Sequence, residues 1–102
     1  MGKFGLFGKL IAKDGERETL VNILLEAAES MENLDECEVY LVNVSSDEPN
    51  SVFVYEVWKD ENAHKASLSL EVTQTLIQRA KPIIAGMERI STLLPIGGKS
   101  FT

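Results

Sequence analysis

Between Val52 and Trp58 the alternation of side chains leaves the chain few ways to fold. As a strand, this stretch puts Val52, Val54, Glu56 and Trp58 on one face and Phe53, Tyr55 and Val57 on the other. Both faces are bulky or apolar, which suits a pleated surface covered on two sides. Asp60 then stops the strand and offers a carboxylate to cap a helix, with Glu61 in the first turn where the helix dipole favours an acid. The only Trp of the chain closes the strand, and the only His, His64, follows about one helical turn later. A glutamate on the Trp face of such a strand is the least expected feature of the sequence, and any chemistry is sought there first.

The rest of the chain arranges itself around this segment. Lys3 to Ala12 reads as a strand, with Phe4, Leu6, Gly8, Leu10 and Ala12 on one face and Phe7 and Ile11 on the other. Asp14-Gly15 ends it, and Asp14 is a candidate helix cap. Glu16 to Met31 carries the clearest helical period: Leu20, Leu24, Ala27, Ala28 and Met31 form a stripe widened by Val21 and Leu25. Glu38 to Ser45 alternates as a second strand, and the turn formers of residues 46–50, SDEPN, predict a hairpin loop into the strand that ends at Trp58. The second helix starts at Asp60 and changes register near residues 67–70, which predicts a break there. Pro82 opens a short final turn ended by Gly86, Met87 to Ile96 is the fourth strand, and residues 97–102 form a tail.

Strand, helix, strand, strand, helix, strand is the split βαβ or ferredoxin-like order, an α+β class with both helices on one face of a four-stranded antiparallel sheet. The other sheet face is then bare and apolar. Such a surface calls for an interface, and a two-fold homodimer through the sheet faces is the simplest way to cover it.

The 102 residues and 44% hydrophobic content fit one domain, 1–102, with a real core. A net charge of −6 argues against a nucleic-acid partner, whose phosphates call for a basic face. One cysteine excludes an intrachain disulfide, and no Cys/His cluster or metal-ligand spacing is present. Neither a signal-peptide apolar run nor a stretch of membrane-spanning length occurs, so a cytoplasmic location with no membrane partner is expected.

Three segments together resemble the antibiotic biosynthesis monooxygenase family of small dimeric α+β-barrel proteins: AKDG at 12–15 before a helix, CEVYLV at 37–42, and YEVWKDENAHKAS at 55–67. The strand ending in Glu-x-Trp and running directly into a helix is the most characteristic of them. The resemblance implies a sheet-to-sheet homodimer with a pocket between sheet and helices in each subunit. It also implies oxidation of a small aromatic phenol or quinol by dioxygen with no metal, flavin or other cofactor. Members carry a His in the second helix where Ser67 stands here, and a haem-degrading branch uses an Asn on the first strand, where KFGLFGKLIA has none.

Glu56, Trp58 and His64 are therefore the candidate catalytic residues, with Tyr40 and Ser67 as candidate substrate-binding residues. Glu56 serves either as a general base or substrate acceptor, or as an ion-pair partner of Arg89 or Lys9 from a neighbouring strand. Trp58 is either a pocket wall for a planar ligand or a core residue at a strand end. His64 either hangs over the sheet, where it can take a phenolic proton near neutral pH, or lies on the surface. Tyr40 lines the pocket or the edge of the core. Cys37, between Glu36 and Glu38, reads as an inert thiol. A non-enzymatic dimeric module that holds a small apolar ligand and, behind it, a haem-binding or haem-degrading protein are the alternative functions.

Overall fold

The computed structural model describes residues 2–99. Its elements are β1 (Phe4–Ala12), α1 (Arg17–Ser30), β2 (Cys37–Ser45), β3 (Glu48–Trp58), α2 (Glu61–Ser67), α3 (Glu71–Ala80), a 3-10 turn (Lys81–Ile83) and β4 (Ile84–Leu93). The four strands form one antiparallel sheet in the order β2-β3-β1-β4. This is the α+β ferredoxin-like arrangement read from the sequence. The two most two-faced strands, β1 and β3, are the central pair.

Leu20, Ile23, Leu24 and Ala27 are the buried face of α1. Leu20 and Leu24 meet Ala12, Val52, Val54 and Ala80 in the core between helices and sheet. The stripe is turned slightly from the one expected: Ile23 is buried, while Leu25 is 49% exposed. Arg79 on α3 donates to both carboxylate oxygens of Glu26 on α1, at 2.9 and 3.1 Å, which clips the two helices together at the surface.

Several boundaries differ from the sequence reading, each for a physical reason. Asp14 does not cap α1. Gly15 takes φ 79°, a left-handed value suited to glycine, Glu16 N–H donates to Lys13 O, and Asp14 Oδ1 accepts from Asn50 Nδ2 at 2.8 Å. The β2–β3 loop shrinks to Ser46 and Asp47, because β3 begins at Glu48. Pairing jumps from Val44↔Val52 to Ser45↔Glu48, and Pro49 sits in this irregularity, where its missing N–H breaks no ladder. β4 starts at Ile84 and ends at Leu93, and Gly86 does not end a turn but pairs with Ile11 inside the strand. Of the tail read over 97–102, the last three residues lie outside the described residues.

The expected break in the second helix is present. Thr73 Oγ1 donates to Ser67 O at 2.6 Å and Gln74 Nε2 donates to Leu68 O at 2.8 Å. Ser67 O also accepts from Leu70 N–H, so the two side chains reinforce the turn that ends α2 and tie it to α3. On the helix-free face Phe7 and Phe53 stack at 6.0 Å, with Lys9 Nζ 5.8 Å from the Phe53 ring. Among the described residues, no helix is long and apolar enough to cross a membrane.

Candidate functional site

The pairing register decides which side chains share the space under the helices. Glu56 on β3 lies between Leu6 of β1 and Tyr40 of β2, so all three face the same side. Trp58 follows on that face at the strand end, opposite Phe4. Asp60 is extended, its carboxylate accepts from Ala63 N–H at 2.7 Å, and α2 begins. One turn in, His64 N–H donates to Asp60 O, and its ring comes back over the strand end. The imidazole lies edge-on to Trp58 at 5.7 Å between ring centres and 5.4 Å from Phe4.

These groups border a cavity of about 380 Å³ between sheet and helices, whose lining includes Tyr40, Glu56, Trp58, His64 and Ser67. All five candidate residues thus reach one cavity, although nothing in their placement assigns them a catalytic role. Trp58 is 2% exposed, and its Nε1–H donates to Glu56 Oε1 at 2.9 Å. The indole donor is spent within the protein, leaving the ring as an apolar wall, and the carboxylate is held in place. The alternative ion pairs of Glu56 do not form: Lys9 points to the other face, where it pairs with Glu48 at 2.8 Å and lies 3.9 Å from Glu88. No Arg89–Glu56 bridge forms either among the described residues.

Burial lowers the His64 pKa below the ordinary histidine value, Glu56 opposes that shift, and the nearby Arg89 guanidinium adds to it. The imidazole is accordingly neutral at pH 7 and able to accept a proton. Tyr40 moves the other way. Burial, then the charge of Glu56, hold its phenol well above the usual range, so it stays a hydroxyl donor. Ser67 is buried and donates to His64 O at 2.6 Å, which ties its hydroxyl to the backbone that carries the imidazole. The Cys37 thiol is pushed up to about 11 by burial, then by Glu56 and Glu38, in keeping with an inert thiol. No group of three or more His, Cys, Asp or Glu side chains suited to a metal ion occurs among the described residues.

Sequence reasoning missed two contributors, Phe4 and Gly8, and gave a third, Arg89, a pairing that does not form. Phe4 is the second aromatic wall of His64. Gly8 lies between Leu6 and Leu10 on the helix-facing side of β1 and leaves a gap in the cavity floor between Val54 and Arg89. Arg89 is aimed by a bulge: Gly8 pairs with Arg89 but Phe7 with Ser91, so Ile90 is the extra residue. A Cβ on Gly8 would stand 3.1 Å from Glu88 O, so glycine lets the bulged strand approach. The glycine was visible as a sign of close approach within a strand. The bulge itself leaves no mark in the sequence.

Comparison with known proteins bears on the fold and the family. Residues 4–79 match the antibiotic biosynthesis monooxygenase family. A Chloroflexus aurantiacus crystal structure, provisionally named an antibiotic biosynthesis monooxygenase, is 33% identical, with 98% of this chain and 99% of that one aligned at a TM-score of 0.84. Two structures under the same provisional name share the fold at 19% identity. The Bacteroides thetaiotaomicron protein aligns over 98% of this chain and 96% of its own at a TM-score of 0.85. The Caulobacter crescentus protein aligns over 94% and 92% at 0.83. No curated protein sequence matches the chain. With the Glu-x-Trp strand, the helix over it and a match across most of its length, the chain belongs to the antibiotic biosynthesis monooxygenase family.

Proposed function

We propose that this single-domain chain is a homodimeric, cofactor-independent monooxygenase that oxidises a small aromatic phenol or quinol with dioxygen. The observation that carries the reading is a neutral imidazole poised edge-on to an indole inside an apolar cavity, beside a carboxylate already oriented by that indole. In this reading His64 takes the phenolic proton, and Trp58 and Phe4 form the walls of the cavity beside it. The electron-rich phenolate passes an electron to dioxygen, and the radical pair joins at a ring carbon. Loss of the proton from that carbon breaks the O–O bond: one oxygen atom stays on the ring, which ends as a quinone, and the other leaves as water, so the substrate itself supplies every electron. The protein contributes a base, an orientation and a site with little water. Tyr40 and Glu56 hold the second oxygen of a quinol, as donor and acceptor.

The dimer forms through the helix-free sheet faces, supported by the stacked Phe7 and Phe53 and the exposed Leu41 on that side. Oxygen uptake with hydroquinone tests the activity. Wild type consumes oxygen, and His64→Ala, folded by circular dichroism, loses at least about 100-fold of the rate, the scale of a general base. Equal uptake by both proteins removes His64 from the mechanism. Tight retention of the quinol without uptake by wild type favours the binding-module alternative.

A further inference from the structure

Tyr40, Glu56 and His64 gather where β3 ends, and Glu88 and Arg89 add charge on β4, but the exposed remainder of the lining is apolar. Leu68 just past α2, Ile77 on α3 and Met87 on β4 all belong to it, and all three are strongly solvent-exposed, at 48%, 50% and 73%. Three elements that share little else each place a large apolar side chain at the same opening. One exposed leucine needs no explanation, but three large apolar side chains gathered beside the charged Glu88 and Arg89 at the exposed part of a cavity do.

The sheet register gives the distance between the two groups. Leu6 pairs with Glu56, Gly8 with Val54 and Arg89, and Leu10 with Met87. From the Glu56 row to the Met87 row is four residues of β1, roughly 13 Å at the ordinary rise per strand residue. A single aromatic ring with its hydroxyl at His64 fills about half of that length. What remains between ring and solvent is the row at Gly8, where β1 has no side chain and Val54 and Arg89 flank the gap, then the rim.

We infer that the ligand of this cavity is an alkyl-substituted phenol or quinol whose aliphatic substituent leaves the ring toward Leu68, Ile77 and Met87. The inference rests on the reading of this cavity as the phenol site and adds the class of substrate. A bare, fully polar-rimmed phenol gains nothing from the three side chains, whereas an aliphatic substituent removes both itself and the rim from water. The rim belongs to the same continuous cavity as Trp58 and His64, and Leu68 and Ile77 lie on the helix side of the sheet, away from the face assigned to the second subunit.

The test is anaerobic isothermal titration calorimetry with methyl-, butyl- and hexylhydroquinone, which measures binding with turnover excluded. In wild type, affinity rises about two- to fourfold per methylene up to butyl, fourfold being the limit for a fully buried methylene, and levels off near hexyl as the chain clears the rim. Ile77→Ser and, on a different element, Met87→Ser each lower the hexyl-to-methyl affinity ratio at least threefold. A flat series in wild type, or an undiminished ratio in both variants, overturns the inference. So does a change of sedimentation in the variants, which would mark the rim as a subunit contact. A chain-length series that binds as expected but consumes no oxygen in air upholds the substrate class and defeats the monooxygenase reading.

Discussion

The indole N–H of Trp58 is committed to Glu56 Oε1, so Trp58→Phe keeps most of the ring and removes one donor. The carboxylate then loses its partner inside the cavity, and a destabilisation of about 1–3 kcal/mol is expected. Trp58→Ala also empties the core end of β3 and is expected to cost about 3–5 kcal/mol. Urea titrations of both variants separate the two contributions. A neutral Trp58→Phe would show that the bond constrains nothing. His64 has a pH signature of its own. Its folded pKa lies below the unfolded value, so between the two the unfolded chain binds more protons. The contribution of His64 to stability is therefore intact above the ordinary histidine pKa and declines as pH falls from there toward the folded pKa. His64→Gln should remove that part of the pH dependence, and imidazole chemical shifts followed against pH should give a midpoint below 6.5. A midpoint at or above it would mean that Glu56, not burial, dominates the ring.

At the scale of elements, α2 has only seven residues, and its position rests on one cap and two side-chain contacts from α3. Asp60→Ala is expected to cost about 0.5–2 kcal/mol and to loosen His64 with its helix, so quinol turnover should fall more than binding does. Leu24→Ala, in the buried stripe of α1, should cost about 2–5 kcal/mol, read from the shift of the denaturant midpoint. The elements most legible in the sequence were those whose side chains alone dictate their form: the two-faced strands at Phe4–Ala12 and Val52–Trp58, the amphipathic α1, and the Asp60 cap. The Glu56, Trp58 and His64 convergence was legible too, because strand parity and one helical turn fix relative direction. What stayed hidden depends on pairing between distant segments. The Ile90 bulge, the early start of β4 and the placement of Pro49 are set by register against β1 and β2, and nothing local announces them. Asp14 shows the same limit. Its sequence fits a cap, but Asn50 from another strand holds it instead.

At the scale of the molecule, the sheet face opposite the helices carries Phe7, Phe53 and Leu41, and the proposed dimer covers it. Sedimentation at micromolar concentration should give twice the chain mass, and Phe53→Glu, which places a charge at the centre of that face, should give a monomer. A wild-type monomer would leave the stacked pair without the role proposed for it. The strand order β2-β3-β1-β4 also bears on how the chain reaches its native state. β2 and β3 are joined by two residues and can close as a hairpin within microseconds. The centre of the sheet has no such shortcut, because Leu6 must find Glu56 on one side and Thr92 on the other, across most of the chain. Contacts so distant along the chain slow folding, since loop closure costs entropy before any pairing returns it. Mutations in β1 should therefore act mainly on the unfolding rate, and those in the β2–β3 hairpin on the folding rate. The wall of the cavity that Leu6 and Gly8 provide would then be the last part to form.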